Sequence, residues 1–421
     1  MLSVMALLFA LDRDLYYAVI VWWGFSPTPE PFWDTYGVLA ALDCHRAGVN
    51  VWQSNACMNG GFYTYSPFLL HAAALPVHGD MAVRAGLALT ALFLLSLAVL
   101  PGGRNWKETA IRCLALLSTA CAFAVERGNL DLVLYAMATG GVWLLLRPGP
   151  RWLGYGAFVL AALLKFYPVT LLVLAARERP RTASITALAA SATLILFVAL
   201  SAGDMRDALA VTPIGWPFGD VFGALNLPFG VFVVPNLPAG GEIGPEVFRA
   251  PLSWQAWTIL AVLLAFAGYV AASHLRRDRA AWRGLDAGRA AWLAAGAAVI
   301  VGCFFAAQNV AYRAIFLLLT LPGLYALMAG DRTGLGRYRS VIVAVLFVLW
   351  QELFHRLVAR VTADSAPGAS LLLIYWAIRE LVWWWLIARL ASLLAAFLLE
   401  SPALARLTGI IDRLAPPAGP K

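Results

Sequence analysis

Apolar runs about as long as a bilayer is thick recur along this chain, and they constrain its fold more than any other feature. Residues 81–100, 183–200, 252–274, 290–307 and 370–399 each give roughly eighteen or more positions with few charges, enough to cross the hydrocarbon core as a helix. Hydrophobic residues make up 62% of the 421 and charged residues only 13%. Soluble domains sit near half apolar and about a quarter charged, so a soluble fold is excluded. An all-α polytopic membrane protein is expected, with about ten to twelve membrane-spanning or re-entrant helices.

The formal net charge of +8 invites a nucleic-acid reading, but the basic residues are placed like topology signals. Arg104/Lys107/Arg112, Arg147/Arg151, Arg177/Arg179/Arg181 and Arg276/Arg277/Arg279/Arg283/Arg289 fall between apolar segments that alternate in direction. About nineteen of the 31 Lys and Arg fall on loops assigned to the cytoplasm by the positive-inside rule. No nucleic-acid-binding signature accompanies them, so no nucleic-acid partner is expected; the bilayer is the expected surrounding. Both termini are assigned to the cytoplasm. The apolar start runs through Asp12-Arg13-Asp14 without a small-residue cleavage site, and that triplet breaks the first helix early.

The chain divides into an N-terminal module (1–181), a C-terminal set of helices (182–400) with a long external loop at 201–251, and a cytoplasmic tail (401–421). The first external loop runs from 24 to about 65 and contains an amphipathic stretch at 33–47 with apolar positions at helical spacing. Residues 68–77 are apolar but too few to span. Two hairpins follow, 109–125 with 130–146 and 152–164 with 166–176. The first is joined by Glu126-Arg127-Gly128-Asn129, the second through Lys165 and Tyr167-Pro168. The second pair is too short for two crossings and reads as re-entrant, which is tolerable only where protein covers the broken backbone. Further crossings are expected at 314–328 and 340–353. Cys113, Cys121 and Cys303 lie in apolar segments and read as packing residues; Cys44 and Cys57 share the external loop, where a disulfide is open to them. No internal repeat is evident, which weighs against an inverted-repeat transporter.

This topology brings Asp34, Glu126, Arg127, Asn129, Asp131, Lys165, Gln308, Asn309, Tyr312 and Arg313 to a similar depth near the outer face. Polar groups at such depth cost a few kcal/mol and mark functional sites by default. Each also has a plain structural reading. Asp34 fits a helix N-cap as well as a general base, and Asn129 fits an N-cap before an apolar run. Arg127 fits a pair with Glu126 or Asp131 across the turn. Lys165 either snorkels to the interface or meets a phosphate as a point charge. Arg313 suits a bidentate phosphate clamp. His355, Arg356 and Arg360 fit a far rim or plain solvation. Arg379 and Glu380, as sequence neighbours, are expected not to face each other. Trp383-Trp384-Trp385 is assigned to an interfacial aromatic belt in preference to sugar stacking. The histidines show no metal-ligand spacing, so no metal site and no cofactor are expected.

Phe32-Trp33-Asp34-Thr35-Tyr36 followed by Tyr65-Ser66-Pro67 resembles the D-x-x-Y … Y-x-P arrangement of GT-C-fold glycosyltransferases. The Glu126-Arg127-Gly128-Asn129 turn and the Leu164-Lys165-Phe166-Tyr167-Pro168 break are similar to the same group, most closely the family-87 polyprenyl-phosphate-mannose-dependent mannosyltransferases. The likeness extends to about Arg181, with a weaker echo from Tyr312-Arg313 to Leu321-Pro322. It implies that a sugar, mannose before other hexoses or pentoses, passes from a polyprenyl-phosphate donor to a lipid or glycan hydroxyl. The setting it implies is the outer face of a bacterial cytoplasmic membrane. Asp34 would be the general base, with Asp43 ranking second. Arg127, Asn129, Lys165, Tyr167, Tyr312 and Arg313 would meet the donor; Tyr36, Tyr65, Gln308 and Asn309 would line the loop or acceptor side. Some relatives with this fold use a divalent ion, and the first loop has no clear acidic pair to hold one. The competing function is a transporter or flippase for a lipid-linked or anionic substrate, which would need a site near the midplane with access from both sides.

Overall fold

The computed structural model describes residues 8–25, 28–212, 216–233, 253–331, 336–362 and 368–404. They are nearly all helical. In chain order the main helices are α1 (Arg13–Trp23), α2 (Trp33–Arg46), α3 (Ala82–Leu97), α4 (Trp106–Leu116), α5 (Thr119–Arg127), α6 (Asp131–Leu145) and α7 (Arg151–Leu164). They continue as α8 (Pro180–Leu200), α9 (Ala202–Val211), α10 (Asn226–Val233), α11 (Trp254–Trp282), α12 (Ala287–Ala306), α13 (Leu321–Gly330), α14 (Arg337–Leu349), α15 (Gln351–Thr362) and α16 (Gly368–Leu399). Tyr167–Arg177 and Ala311–Leu319 are tighter 3-10 segments. One two-residue antiparallel pair, β1 (Val221–Phe222) with β2 (Asn309–Val310), ties the loop after α9 to the end of α12.

Among the described residues five helices are long and apolar enough to cross a membrane, or eight if each of three bent pairs counts as one span; α6, α7 and Tyr167–Arg177 are shorter apolar helices. This is the architecture of a multi-pass membrane protein. The expected span at 109–125 is two helices, α4 and α5, bent by 48°. Ser118 causes the break: its hydroxyl accepts the Cys121 N–H and restarts the helix as an N-cap. The stretch 314–328 is likewise divided, bent by 52° before Pro322, and α14 meets α15 at 64°. The loop expected at 201–251 contains α9, β1 and α10, while 234–252 lies outside the described residues, as does 405–421 of the tail. Asp12 accepts the Leu15 N–H at 2.9 Å and caps α1, so the Asp12-Arg13-Asp14 triplet does interrupt the first helix.

α12 is the central helix. Its apolar window is 67% buried, against 6% for α8, whose leucines and isoleucines point outward to where lipid would lie. Alanine and glycine let neighbours approach α12 closely. A Cβ on Gly296 would come within 2.6 Å of Thr320 Cγ2, so the 3-10 segment and α13 are seated against bare backbone. α16 packs along α11 and α12, α6 along α7 and α3. Trp383 and Trp384 are fully buried, and Trp383 stacks on Phe222 at 4.1 Å with its indole N–H on Gln351. They therefore do not form an aromatic belt: Trp384 packs edge-on to Phe304 of α12, and Trp383 is held by β1 and α15. Cys121 and Cys303 are buried, but Cys113 is exposed on α4 and does not pack as expected.

The first loop forms a small structured cap. Cys44 and Cys57 are joined as a disulfide that closes a 13-residue separation around Trp52. A loop of this length is worth about 3 kcal/mol. Reduction, or Cys57→Ser, is expected to remove hydrogen-exchange protection from 44–63 while leaving α12 and α16 protected. Equal loss in all three regions would show that the cap is not a separate unit.

Candidate functional site

The Asp34 region is built by docking the first turn of α2 onto the turn after α5. Phe32 precedes α2 in the left-handed conformation, φ 63°, and its N–H donates to Glu126 O at 2.7 Å. Thr35 Oγ1 donates to Gly128 O at 2.6 Å. Gly128 itself has φ +56°, and a Cβ there would meet Thr35 Oγ1 at 2.4 Å. Gly128→Ala is therefore expected to push α2 off the turn. It should reduce whatever activity depends on Asp34 by tenfold or more, with a stability cost of about 1–3 kcal/mol. Unchanged activity and melting temperature would contradict this seating.

Asp34 does not cap α2; its carboxylate reaches across to the turn. Oδ1 accepts Arg127 Nε at 2.9 Å and Nη2 at 2.5 Å, and Oδ2 accepts Asn129 Nδ2 at 2.5 Å. Arg127 thus pairs with neither Glu126 nor Asp131; Glu126 instead accepts from Thr28 Oγ1 at 3.0 Å. Asn129 Oδ1 accepts the Asp131 N–H at 2.9 Å, doing the capping work expected of it, and also Lys165 Nζ at 3.2 Å. One side chain therefore links Asp34 to Lys165.

Asp131 is the floor of this network. Fully buried, it accepts Lys165 Nζ at 2.5 Å and Tyr167 OH at 2.8 Å on Oδ1, and Arg313 Nε at 3.3 Å on Oδ2. Lys165 is not an isolated cation: its ammonium is compensated by Asp131. Lys165 Nζ also lies 5.2 Å from the Tyr65 ring centre, and Arg313 lies 5.3 Å from that of Tyr167. Arg313 Nη1 donates to Asn309 Oδ1 at 2.6 Å, while the Asn309 amide caps the end of α12 through Cys303 O and Ala307 O. Three cations and two carboxylates make up the bonded network, leaving one excess positive charge. Exposure rises from 0% at Asp131 to 8% at Asp34 and 27% at Arg127, so Arg127 is the rim.

Not every expected residue joins. Tyr65 OH lies 3.5 Å from Asn129 Nδ2, at the cluster, but Tyr36 stacks on Trp33 and accepts from Asn59 at 2.9 Å. Tyr312 packs its ring edge-on to Phe123 at 5.4 Å. Gln308 donates to Asn226 at 2.9 Å, in a second polar group. Asp43 is part of a clamp: it accepts Arg46 Nη1 at 2.5 Å and the Gly79 N–H at 2.8 Å, and pairs with His78 Nδ1 at 2.8 Å. Burial pushes its carboxyl up, but Gly79, His78 and Arg46 outweigh that and hold it below the ordinary carboxylate range. With a folded value below the unfolded one, the clamp's stabilisation is present above about pH 4 and lost as pH falls through the folded value. First-loop protection should be flat from pH 7 to 5 and fall at lower pH. A loss already complete at pH 5 would contradict the clamp.

Sequence reasoning missed the weight of Asp131 and a second buried group. Arg379 donates to Glu380 at 2.9 Å, to Gly219 O at 2.7 Å and to Pro217 O at 3.2 Å, and lies 3.6 Å from Glu352. The two neighbours do meet, contrary to expectation, because the long Arg379 side chain, held on the carbonyls of Pro217 and Gly219, also reaches the Glu380 carboxylate. Asp220, immediately before β1, lies within the field of Arg127, Arg379 and Arg356. Burial raises its carboxyl above the ordinary range despite those arginines. A lone Asp in a Gly/Pro-rich loop carries no sequence signal of this.

Among the described residues no group of three or more His, Cys, Asp or Glu is arranged to hold a metal ion. No family model matches the chain, and no curated protein or solved structure matches it either. The resemblance to GT-C enzymes therefore rests on the quoted motifs alone.

Proposed function

We propose that this protein is a membrane-embedded glycosyltransferase that uses a polyprenyl-phosphate sugar, with Asp34 as its general base. The observation that carries the reading is the direct chain Arg127–Asp34–Asn129–Lys165: a carboxylate and an excess of positive charge held in one network by a single amide. An acceptor hydroxyl gives its proton to Asp34 as its oxygen attacks the anomeric carbon. The bond from that carbon to the phosphate oxygen breaks, and the donor phosphodiester leaves as a monoester with one more negative charge. Arg127, at the rim, meets that charge; Lys165 and Arg313 add to the field from below. Attack opposite the leaving group inverts the anomeric centre. The acceptor-binding residues, the sugar and the outward orientation of the site follow from the motif resemblance and the distribution of basic loops.

The test is transfer by the purified protein in vesicles supplied with radiolabelled polyprenyl-phosphate mannose, glucose or arabinose and a mixed lipid acceptor, with product stereochemistry read by NMR. An inverted product with one donor is expected. No transfer from any of them, with transbilayer movement of donor instead, would replace the transferase by a flippase.

A further inference from the structure

At the other end of α12 lies a cavity that the transferase reading does not use. The Asp34 network touches the C-terminal end of α12 through Asn309, whereas the cavity opens beside Gly284 and Leu285, just before its N-terminus. A 20-residue helix is about 30 Å long, the thickness of the hydrocarbon core, so the two lie at opposite membrane faces. The cavity is about 610 Å³, within the range of small-ligand sites. Arg104, Arg277 and Arg337 line it, with Asp331 as the acidic member and Leu285 and Leu327 in its apolar wall.

The arginines are poorly compensated. Arg277 and Arg337 make no side-chain hydrogen bond or ion pair among the described residues, and Arg104 has only a long 3.7 Å contact to exposed Asp286. Asp278, next in sequence to Arg277, is fully buried and committed elsewhere. It accepts Arg389 at 2.8 and 3.1 Å, Ser392 Oγ at 2.7 Å and Tyr338 OH at 3.0 Å. The first turn of α14 also begins at the cavity wall, at Arg337 and Tyr338, and Gly336 offers no side-chain cap. Its first-turn backbone N–H groups, which meet no side-chain cap among the described residues, and the positive end of the helix dipole add to the same field. Cations with at most one long ion pair among the described residues, a helix start and an apolar wall together suit a phosphate carried on an apolar body.

We propose that this cavity binds a phosphate group presented by the head group of an anionic phospholipid. The basic loops assign this face to the cytoplasm, where basic pockets between transmembrane helices take such head groups. The proposal does not depend on the transferase reading.

Native mass spectrometry of the full-length protein in detergent, titrated separately with phosphatidylglycerol, phosphatidylcholine and inorganic phosphate, tests it. One phosphatidylglycerol should be retained in preference to phosphatidylcholine. Arg277→Gln with Arg337→Gln should weaken retention about thirtyfold, near fivefold per charge. Arg277→Lys with Arg337→Lys should keep most of it and show that the double variant is folded, and Arg276→Gln, outside the cavity, should change nothing. Inorganic phosphate binding alone, lost in the same double glutamine variant, would support the phosphate site and assign its ligand to solution instead of lipid. Equal retention of the two lipids with no phosphate binding, or a double glutamine variant that retains phosphatidylglycerol like wild type, would overturn the proposal.

Discussion

Asp131→Asn should lower stability by about 3–5 kcal/mol. Asp131 is fully buried, and both Lys165 and Arg313 end on it. Asparagine keeps the shape and one acceptor oxygen but removes the charge that compensates two cations. Lys165, itself 10% exposed, and Arg313 would then share one neutral oxygen at position 131, with Asn129 Oδ1 and Asn309 Oδ1 as their other partners and no carboxylate between them. At 0% exposure little water can reach the position to replace the lost partner. The effect should register as a fall in melting temperature in detergent and in yield of folded protein. A double-mutant cycle separates this from generic damage. Lys165→Met with Asp131→Asn should cost less than the sum of the two, by up to about 3 kcal/mol, because the methionine removes one stranded cation. Additive effects would mean that the pair is solvated and that the network is not a unit.

Asp34→Asn should act on rate before stability. The amide can still accept from Arg127 or Asn129, and Arg127 at the rim is 27% exposed, so water takes part of the lost interaction. The melting temperature should fall less than in Asp131→Asn. Transfer, however, should drop about 10²–10⁴-fold, the usual contribution of a positioned base. Asp34→Glu lengthens the arm by one methylene and moves the carboxylate away from Asn129; it should recover a small part of the rate. A purely structural Asp34 would instead give activity that tracks folded protein across all three variants.

The contrast between these two aspartates measures how far the sequence could be read. The long apolar helices were legible because length and hydropathy alone set what can cross a bilayer, and no partner is needed to see them. The same count of crossings suggested that Asp34, Arg127, Asn129, Lys165 and Arg313 lie near one another, and they do form one bonded network. Their pairing was not legible. Asp34 meets residues 93 and 95 positions away and Asp131 meets one 182 away, and no local spacing encodes such contacts. That Lys165 carries a counter-ion is hidden for the same reason, since Asp131 sits on a different helix. The α4–α5 break was in principle readable, as Ser118 is a good N-cap inside an apolar run. The burial of Trp383 and Trp384 was not, because a belt and a packed seam share one composition and differ only in what faces them. Arg379 and Glu380 show the limit of the helical-neighbour rule, which compares Cβ directions and not the reach of long side chains.

The most direct measurement of the central claim is single-turnover sugar transfer from a radiolabelled polyprenyl-phosphate donor by wild type and Asp34→Asn, each normalised to folded protein. The account predicts transfer by wild type and a loss of at least a hundredfold in the variant, with donor affinity held within a few-fold because Arg127, Lys165 and Arg313 remain. Asp34→Asn transferring at the wild-type rate would contradict it.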